Sequence, residues 1–575
     1  SYTRPVPGSN PGMPTCGFTP TCRIATKVAG EGAGPLHAGR TGGHGDPGSI
    51  PGRRTYMIAT SNAPLRIGYA RELKGGAYLH YRLLEMLPGF LSWSTLILVC
   101  VLSYFKPVWV AVFIIAFDVY WLVKTAYLSI HLNASWRTMR QYLKEDWQAR
   151  LDSLGKDTWG DIWHMVILPF YNEPYEVVRD AIKSVDVADW PKDRMMIVLA
   201  TEARAGGYAA GIADRMKDEF GGTFGEFIVT VHPDGIKGEM NGKGANISYA
   251  AREAKRRIDA LGISIDRVIV SAFDIDTFVY PKYFMNLAYH FLTAAHPHRS
   301  SYQPIPLYNN NIWHAPAVSR VVALSGTFWQ MMQQVRPERL TTFSSHAISL
   351  KALDDVGYWQ TNMVSEDSRI FWNCFMAFDG DYRVVPLFYP VSMDANLAST
   401  QFQTAVNVYK QQRRWTWGVE NLPYILYSFS KNPRIPFSEK VRHTAIQLEG
   451  FWSLATNPLL IFLLGWLPLM LGGQEFNTAL VAYNLPRITR LLMTLAMLGL
   501  IGSATMAVKL MPPRPREYHK FSWGLVVLQW ALIPFTIVIF GALPGLDAQT
   551  RLMFGRYMGF WVTPKERIAS RTVDS

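Results

Sequence analysis

Five apolar runs fix what this chain can become. They cover roughly residues 89–105, 108–130, 444–471, 490–510 and 523–543. A helix rises about 1.5 Å per residue, so runs of this size reach across a hydrocarbon core of about 30 Å. The first is short, and Lys106 and Pro107 divide it from the second, which carries Asp118 and Lys124. A buried hairpin in a soluble protein is the alternative for this pair, and the three later runs weigh against it. Basic residues crowd both outer flanks of the pair: Arg71, Lys74 and Arg82 before it, Arg137, Arg140, Lys144 and Arg150 after it. Positive loops stay on the cytoplasmic side, so both flanks are expected there. The run 523–543 is harder to place. Lys509, Arg514, Arg516 and Lys520 precede it, Arg551, Arg556, Lys565, Arg567 and Arg571 follow it, and Pro534 and Pro544 break it. A single crossing would put one basic flank outside. A re-entrant or interfacial path keeps both inside and is the expectation here, although the length also suits a span.

Charge and composition agree with a membrane protein. The net charge is +13, from 57 basic and 44 acidic residues, and there are 19 tryptophans. A nucleic-acid binder would also be basic, but outside the membrane flanks no Lys/Arg stripe is interleaved with aromatics. The four cysteines, Cys16, Cys22, Cys100 and Cys374, have no metal-ligand spacing, which argues against a zinc site or a disulfide framework. Residues 1–56 are rich in Gly, Pro and Ser without apolar periodicity and are expected to be disordered; Met57 opens more ordinary sequence and would serve as an alternative start. The expected divisions are 1–56, an N-terminal membrane pair with its flanks over 57–150, a soluble domain over 151–430, and a C-terminal membrane region over 431–575.

Between the apolar blocks the pattern changes to α/β units. Residues 163–168, 196–200, 227–232 and 267–272 are continuous apolar stretches, as expected of parallel strands covered on both faces. Ligands in such sheets bind beyond the carboxyl ends of the strands. The first strand ends in Pro169, Phe170, Tyr171, Asn172 and Glu173, a polar loop able to hold a nucleoside. The fourth ends in Asp274, Ile275 and Asp276. Two carboxylates in D-x-D spacing suit a hard divalent cation, although such a pair also occurs in turns and helix caps. Asn241, Gly242, Lys243 and Gly244 precede a helical pattern; the glycines let a ligand approach and Lys243 could reach a phosphate, unless this is only a glycine-rich turn. Glu366 and Asp367 open another helix, where acids favour the macrodipole and could equally serve as a general base. Gln411, Gln412, Arg413, Arg414 and Trp415 stand where the soluble segment meets the membrane block. Arginine can fork onto phosphate and tryptophan can stack on a sugar, yet both are also common in interfacial helices.

Taken in order over roughly residues 80–570, these motifs resemble a membrane-integrated family 2 glycosyltransferase of the cellulose synthase, hyaluronan synthase and chitin synthase type. The resemblance implies a GT-A-type α/β domain, with a mixed and mostly parallel sheet, inserted between N- and C-terminal transmembrane helices. It implies a nucleotide-sugar donor, a UDP-sugar foremost, bound through Glu173, Glu202, Lys243, Asp274, Gln411 and Arg414. It also implies Mg2+ or Mn2+ on Asp276 and Asp274, Asp367 as general base with Glu366 shaping its site, and Trp415 under the acceptor sugar. Leu324, Ser325, Gly326 and Thr327 stand where such enzymes place a small-residue acceptor loop. Phe560, Val562, Thr563 and Lys565 resemble the F-x-V-T-x-K gating loop (560–565) of bacterial cellulose synthases, which lies over the donor on the cytoplasmic side.

Two departures stand out. Glu202 occupies a place where the family usually carries paired aspartates near the base, and Ser365 stands where the acidic triplet often begins with Thr. The implied activity is inverting transfer that extends a β-linked polysaccharide, processively and with coupled export through the bilayer. The alternative is a non-processive transfer to a lipid or short membrane acceptor. The implied location is a bacterial inner or plasma membrane with the catalytic domain in the cytoplasm, and a partner export subunit is compatible with it.

Overall fold

The computed structural model describes residues 63–516, 518 and 522–563. The chain divides into 1–59 and 60–575, and every described residue lies in the second unit. The expectation of disorder over 1–56 and the position of Lys565 both lie outside the described residues.

The soluble domain is built on an eight-stranded sheet. Its strands are β1 (Trp163–Pro169), β2 (Met195–Glu202), β3 (Glu226–His232), β4 (Val268–Ala272), β5 (Phe278–Val279), β6 (Ser300–Leu307), β7 (His346–Ser349) and β8 (Arg383–Ser392). Their order across the sheet is β3-β2-β1-β4-β7-β6-β8-β5. The first four strands run parallel and match the four apolar stretches to within two residues at their starts and ends. Their side chains alternate between two cores. Met165, Ile167, Met196 and Val198 pack with Ile247, Ala250, Ala251 and Ala254 of the Lys243–Ala260 helix. Val166, Leu168, Ile197 and Leu199 pack with Val178, Ala181 and Ile182 of the Tyr175–Asp186 helix. Burial on both faces is why these strands are apolar throughout rather than alternating.

β7 runs against both of its neighbours, β4 and β6. This reversal positions the site. Ala272, the last residue of β4, pairs with His346, the first of β7. The segment entering β7 therefore lies beside the one leaving β4, which carries Asp274 and Asp276.

Among the described residues, four helices are long and apolar enough to cross a membrane: Gly75–Phe105, Pro107–Tyr142, Leu480–Leu510 and Trp523–Met553. The second is 36 residues long, about 54 Å at the usual rise. Its far end leaves the apolar run and packs Leu132 and Met139 against Ile305, Leu307, Phe328 and Met331 of the soluble domain. The two charges within its apolar run are partnered. Asp118 accepts from Thr489 Oγ1 at 2.7 Å, and Lys124 reaches Glu449 at 2.6 Å and Ser453 at 2.9 Å.

The run 444–471 folds differently from the other spans. It lies in a helix, Phe437–Leu459, that continues through a π turn over Leu460–Leu464, stops at Gly465 and Trp466, and resumes at Leu467–Leu471. In the last apolar segment a 3-10 turn (Gln529–Leu532) precedes Pro534 and a π turn (Val538–Ala542) precedes Pro544. Proline removes an amide donor, and the ladder shifts register ahead of it.

The first and last membrane helices approach through a glycine. A Cβ on Gly89 would lie 2.8 Å from both the Gln549 carbonyl oxygen and Met553 Cβ. Close by, Ser92 Oγ donates to Gln549 Oε1 at 2.7 Å. Gly89→Leu is expected to force these helices apart and cost about 1–3 kcal/mol, read as a lowered melting transition of the purified protein. An unchanged transition would show that the contact does not bear on stability.

Candidate active site

Three motifs far apart in the chain meet at one amine. Lys243 Nζ lies 2.7 Å from Asp274 Oδ1 and 3.1 and 3.0 Å from the two carboxylate oxygens of Asp367. Its side chain is only 9% exposed. Lys243 opens its helix, Asp274 leaves β4, and Asp367 opens the Glu366–Ala377 helix. Asp274 Oδ2 also accepts from Ser344 Oγ at 2.6 Å, on the segment that enters β7. Burial alone would lower the Lys243 pKa. The charges of Asp274, Asp367 and Glu366 together outweigh it and raise the pKa, so the amine stays charged.

Glu366 stands deeper than Asp367, at 2% exposed. Burial first, and the neighbouring Asp367 charge second, push its carboxyl up to about 8. The helix start fits tightly because Gly244 has no side chain: a Cβ there would lie 3.0 Å from Glu366 Cβ. The acidic turn is held from a third direction by Glu420. Its Oε1 accepts from the Val364 and Ser365 amides at 3.1 and 2.8 Å, and its Oε2 accepts from Trp417 Nε1 at 2.8 Å. Glu420 lies only five residues past Trp415, so the Gln411–Trp415 segment and the acidic turn are fixed to one another.

His346 completes the floor. Its Nδ1 lies 2.9 Å from the Phe343 carbonyl, and Trp359 Nε1 donates to its Nε2 at 3.3 Å. Accepting at Nε2 leaves the proton on Nδ1, a neutral ring. Burial lowers its pKa in the same sense, and Asp367 opposes this.

Asp276, 3% exposed, accepts at Oδ2 from the Asp394 amide at 3.2 Å. Asn310 Nδ2 donates to the Asp276 carbonyl and to Asp394 Oδ1, both at 2.9 Å. Among the described residues no group of three His, Cys, Asp or Glu side chains could hold a metal alone. The oxygen donors of Asp274 and Asp276 nonetheless suit Mg2+ or Mn2+, which bind through one or two carboxylates and complete their shell with substrate phosphates and water.

The donor residues form two groups. Glu173 Oε2 accepts from the Tyr171 and Asn172 amides at 2.7 and 3.1 Å and so shapes its own loop. Glu202, 7% exposed, is held by Arg204 through two bonds, at 2.6 and 3.0 Å. Arg204 in turn lies over the Tyr171 ring at 4.3 Å. This group stands at the carboxyl ends of β1 and β2, apart from the Lys243 cluster. Glu202, the acid expected in place of paired aspartates, is thus paired with a cation two residues on in the chain.

The last described segment lies on the site. Phe560 packs against Gly242, whose φ of +148° and missing side chain make room: a Cβ there would lie 2.6 Å from the ring. Arg414 sits over the same ring at 5.2 Å and acts on Glu366. Thr563 is 8% exposed, and its Oγ1 has no partner among the described residues. Gln411 and Trp415 line a cleft shared with Tyr308 and Asp394. Trp415 is 39% exposed, and its ring lies 5.9 Å from that of Tyr308. Ser325 and Gly326 differ from expectation in form. They lie inside the Ala317–Gln334 helix and not in a loop, because Val321, Leu324, Phe328, Met331 and Met332 give the stretch a helical apolar face. Gly326 still borders the site, since a Cβ there would touch the Tyr308 ring at 3.7 Å.

Sequence alone missed Ser344, His346, Glu420, Tyr308 and Asp394. Tyr308 and Asp394 follow strand ends, a position that could have flagged them had β6 and β8 been recognised.

Comparison with known proteins points the same way. Residues 269–543 match the family model described as glycosyl transferase family group 2, which supports a family 2 glycosyltransferase. The sheet and the flanking helices have the GT-A arrangement expected of such a domain. Among solved structures, the chain is similar to mannosyltransferase PcManGT from Pyrobaculum calidifontis in complex with GDP-Man and Mn2+, at 15% identity and a TM-score of 0.38, over 69% of this chain and 99% of that one. It is also similar to S. aureus TarS 1-349 in complex with UDP-GlcNAc, at 10% identity and a TM-score of 0.33, over 68% of this chain and 92% of that one. No curated protein matches the chain.

The Glu366 carboxyl gives a pH test. Its pKa is near 4.5 in the unfolded chain and is raised to about 8 here. Between these values the folded state holds more protons than the unfolded one, so stability falls as pH rises through the window. Glu366→Gln mimics the protonated form and should flatten this slope, measured as melting temperature at pH 5, 6.5 and 8. An identical slope in the variant would assign the pH dependence elsewhere.

Proposed function

We propose that this protein is an inverting glycosyltransferase that uses a nucleotide sugar to extend a β-linked glycan at the cytoplasmic face of a membrane. The observation that carries this reading is the approach of Asp274 and Asp367 to one buried lysine. It sets the D-x-D carboxylates of a donor site beside a carboxylate suited to deprotonating an acceptor.

The chemistry needs three things, and this chain has a residue for each. A sugar hydroxyl is a weak nucleophile until its proton is removed. Asp367 takes that proton, with Glu366 and the Glu420-held turn fixing its position. The hydroxyl oxygen then attacks the anomeric carbon in line with the departing nucleoside diphosphate, which inverts the configuration and gives a β-bond from an α-linked donor. The leaving group carries away negative charge. Arg414 and Lys243 are the cations of the donor site, and Gln411 adds an amide donor. Asp276 and Asp274 would hold Mg2+ or Mn2+, which supplies charge neutralisation at the diphosphate. Glu173 and Glu202 border the place of the nucleoside, and a UDP-sugar is the expected donor.

The segment through Phe560 and Thr563 closes over the donor, with Lys565 following it in sequence. Tryptophan at 415 supports the acceptor sugar, with Ser325 and Gly326 bordering that end. Growth of the chain from Trp415 toward the membrane helices accounts for a catalytic domain set between them, and makes processive extension with export the natural outcome. The basic flanks of 523–543 keep both ends of that segment cytoplasmic along a re-entrant path.

Asp367→Asn is expected to lower transfer by at least about a thousandfold while nucleotide binding persists. The assay is nucleoside diphosphate release and labelled product from membranes supplied with nucleotide sugars and Mg2+ or Mn2+. Long product that a glycanase degrades is the expected result. Surviving activity in the variant would remove Asp367 from the role of base, and a lipid-soluble product bearing one or two sugars would replace polymer extension with transfer to a membrane acceptor.

A further inference from the structure

Two of the apolar helices bring their basic ends together. Pro107–Tyr142 and Leu480–Leu510 lie side by side and run in the same direction, because Gly499 meets Thr125 and, farther along both, Lys509 meets Trp136. Lys509 Nζ lies 4.5 Å from the centre of the Trp136 ring, and Arg140 Cζ lies 5.8 Å from the same centre. Each cation gains from the ring, but two like charges gathered at one place repel. Among the described residues Arg140 and Lys509 form no ion pair that would offset this, and neither do Arg137 and Lys144. Glu145 and Asp146 are the next acids along the chain, and both are engaged. Glu145 holds Arg150 at 2.7 Å, and Asp146 caps the Trp147–Asp152 helix. The exposed face of each helix turns from apolar to basic toward this end. Val123, Ile130, Arg137 and Lys144 recur every seven residues, two helical turns, and all are exposed. Leu491, Leu498 and Lys509 are exposed along one line of the other helix, at spacings of seven and eleven residues.

We propose that this cluster binds the headgroup of an anionic phospholipid, with its phosphate between Lys509 and Arg140 and its acyl chains along the exposed apolar stripes. A phosphate takes positive charge and hydrogen-bond donors, and these two side chains supply both. Arg137 and Lys144 add to the field that draws such a lipid in. A free anion would use the cations and leave the stripes in contact with whatever surrounds them. A lipid uses both, because its apolar chains and charged head follow one another in the same order as the residues do. Basic residues at a helix end also fix orientation across a bilayer. That purpose needs charge alone and is met without two helices placing their cations at one ring. Trp136 suits the boundary, with an apolar body and a polar edge. It is half-buried against a core that contains Leu132, Met139, Met506 and Ala507 and continues into Ile305 and Leu307 of β6. A bound lipid would thus stabilise the seat of the soluble domain. The cluster takes no part in the transfer chemistry proposed above.

The test uses the full-length protein in neutral detergent, titrated with phosphatidylglycerol or with phosphatidylcholine of the same chain length. Native mass spectrometry counts the lipid retained, and the melting temperature reports its effect on stability. The expected result is that phosphatidylglycerol is retained and raises the melting temperature, while phosphatidylcholine binds at least about tenfold more weakly. The double variant Arg140→Gln with Lys509→Gln should lose about tenfold in affinity for phosphatidylglycerol and leave phosphatidylcholine unchanged. If that variant fails to fold, salt carries the test on the wild-type protein. At 1 M the screening length falls to about 3 Å, and the preference for phosphatidylglycerol should shrink toward that of the neutral lipid. Inorganic phosphate and glycerol phosphate alone should leave the melting temperature where it is. Equal retention of the two lipids, wild-type affinity in the double variant, or a preference that salt does not reduce would each overturn the proposal. The same melting shift with inorganic phosphate would overturn it as well, in favour of a site for the free anion.

Discussion

A lysine almost out of water is tolerable only when opposite charge surrounds it, and the catalytic end of this protein is organised to meet that need at Lys243. Bringing the amine into the protein costs several kcal/mol. Asp274 and Asp367 offset this at 2.7 and 3.0 Å. Each comes from a different part of the chain, so the pair forms only if β4 and the helix from Glu366 are both correctly placed. Stability and chemistry are therefore coupled. Loss of the amine would leave Asp274, Asp367 and Glu366 facing one another across a poorly hydrated space. The same charges that hold the lysine are the ones a diphosphate and an acceptor hydroxyl would meet.

The membrane helices enter this account through a few specific contacts. Arg413 reaches Asp547 at 2.9 Å, and Asp547 also holds Arg551 at 2.7 Å. The neighbours of Arg413, Gln411 and Arg414, face the site. A single helical turn is thus anchored on one side to the last apolar segment and directed on the other toward the candidate site. The N-terminal membrane helix joins in through Glu85, which accepts from Tyr557 at 2.8 Å and from the Ala70 amide at 2.9 Å. Tyr557 lies three residues before Phe560, so the segment on the donor side is tethered to the first apolar helix just ahead of the site.

What could be read in the sequence followed from local signals. β1 to β4 were legible because burial on two faces makes a strand continuously apolar. The strand-end carboxylates and the helix-opening acids were legible because their spacing is short. β5 to β8 were not. β5 has two residues, and β6 and β8 contain Pro304, Pro306, Pro386 and Pro390, which strand patterns exclude. These prolines coincide with a register shift between Gln303 and Ile305. Glu420 was invisible for another reason. Nothing in its neighbourhood marks a buried acid, and its partners are backbone amides 55 and 56 residues away.

The position of Glu420 gives the Gln411–Trp415 segment a meaning its residue types do not. Arginine and tryptophan at a membrane boundary need no active site to explain them. A buried carboxylate five residues on, spending one oxygen on the two amides that precede Glu366, has no such interfacial explanation. Burial is the largest effect on Glu420 and raises its pKa, while Arg369 acts against that rise. Arg369 itself lies on the acid-bearing helix and donates from Nη2 to the Glu420 carbonyl at 3.2 Å. The turn that carries Asp367 is therefore clamped from the front by Glu420 and from behind by Arg369. Any shift of the Trp415 helix along the membrane surface would displace Asp367 by the same contacts. The distance between the proposed acceptor platform at Trp415 and the proposed base is in this way set by buried hydrogen bonds.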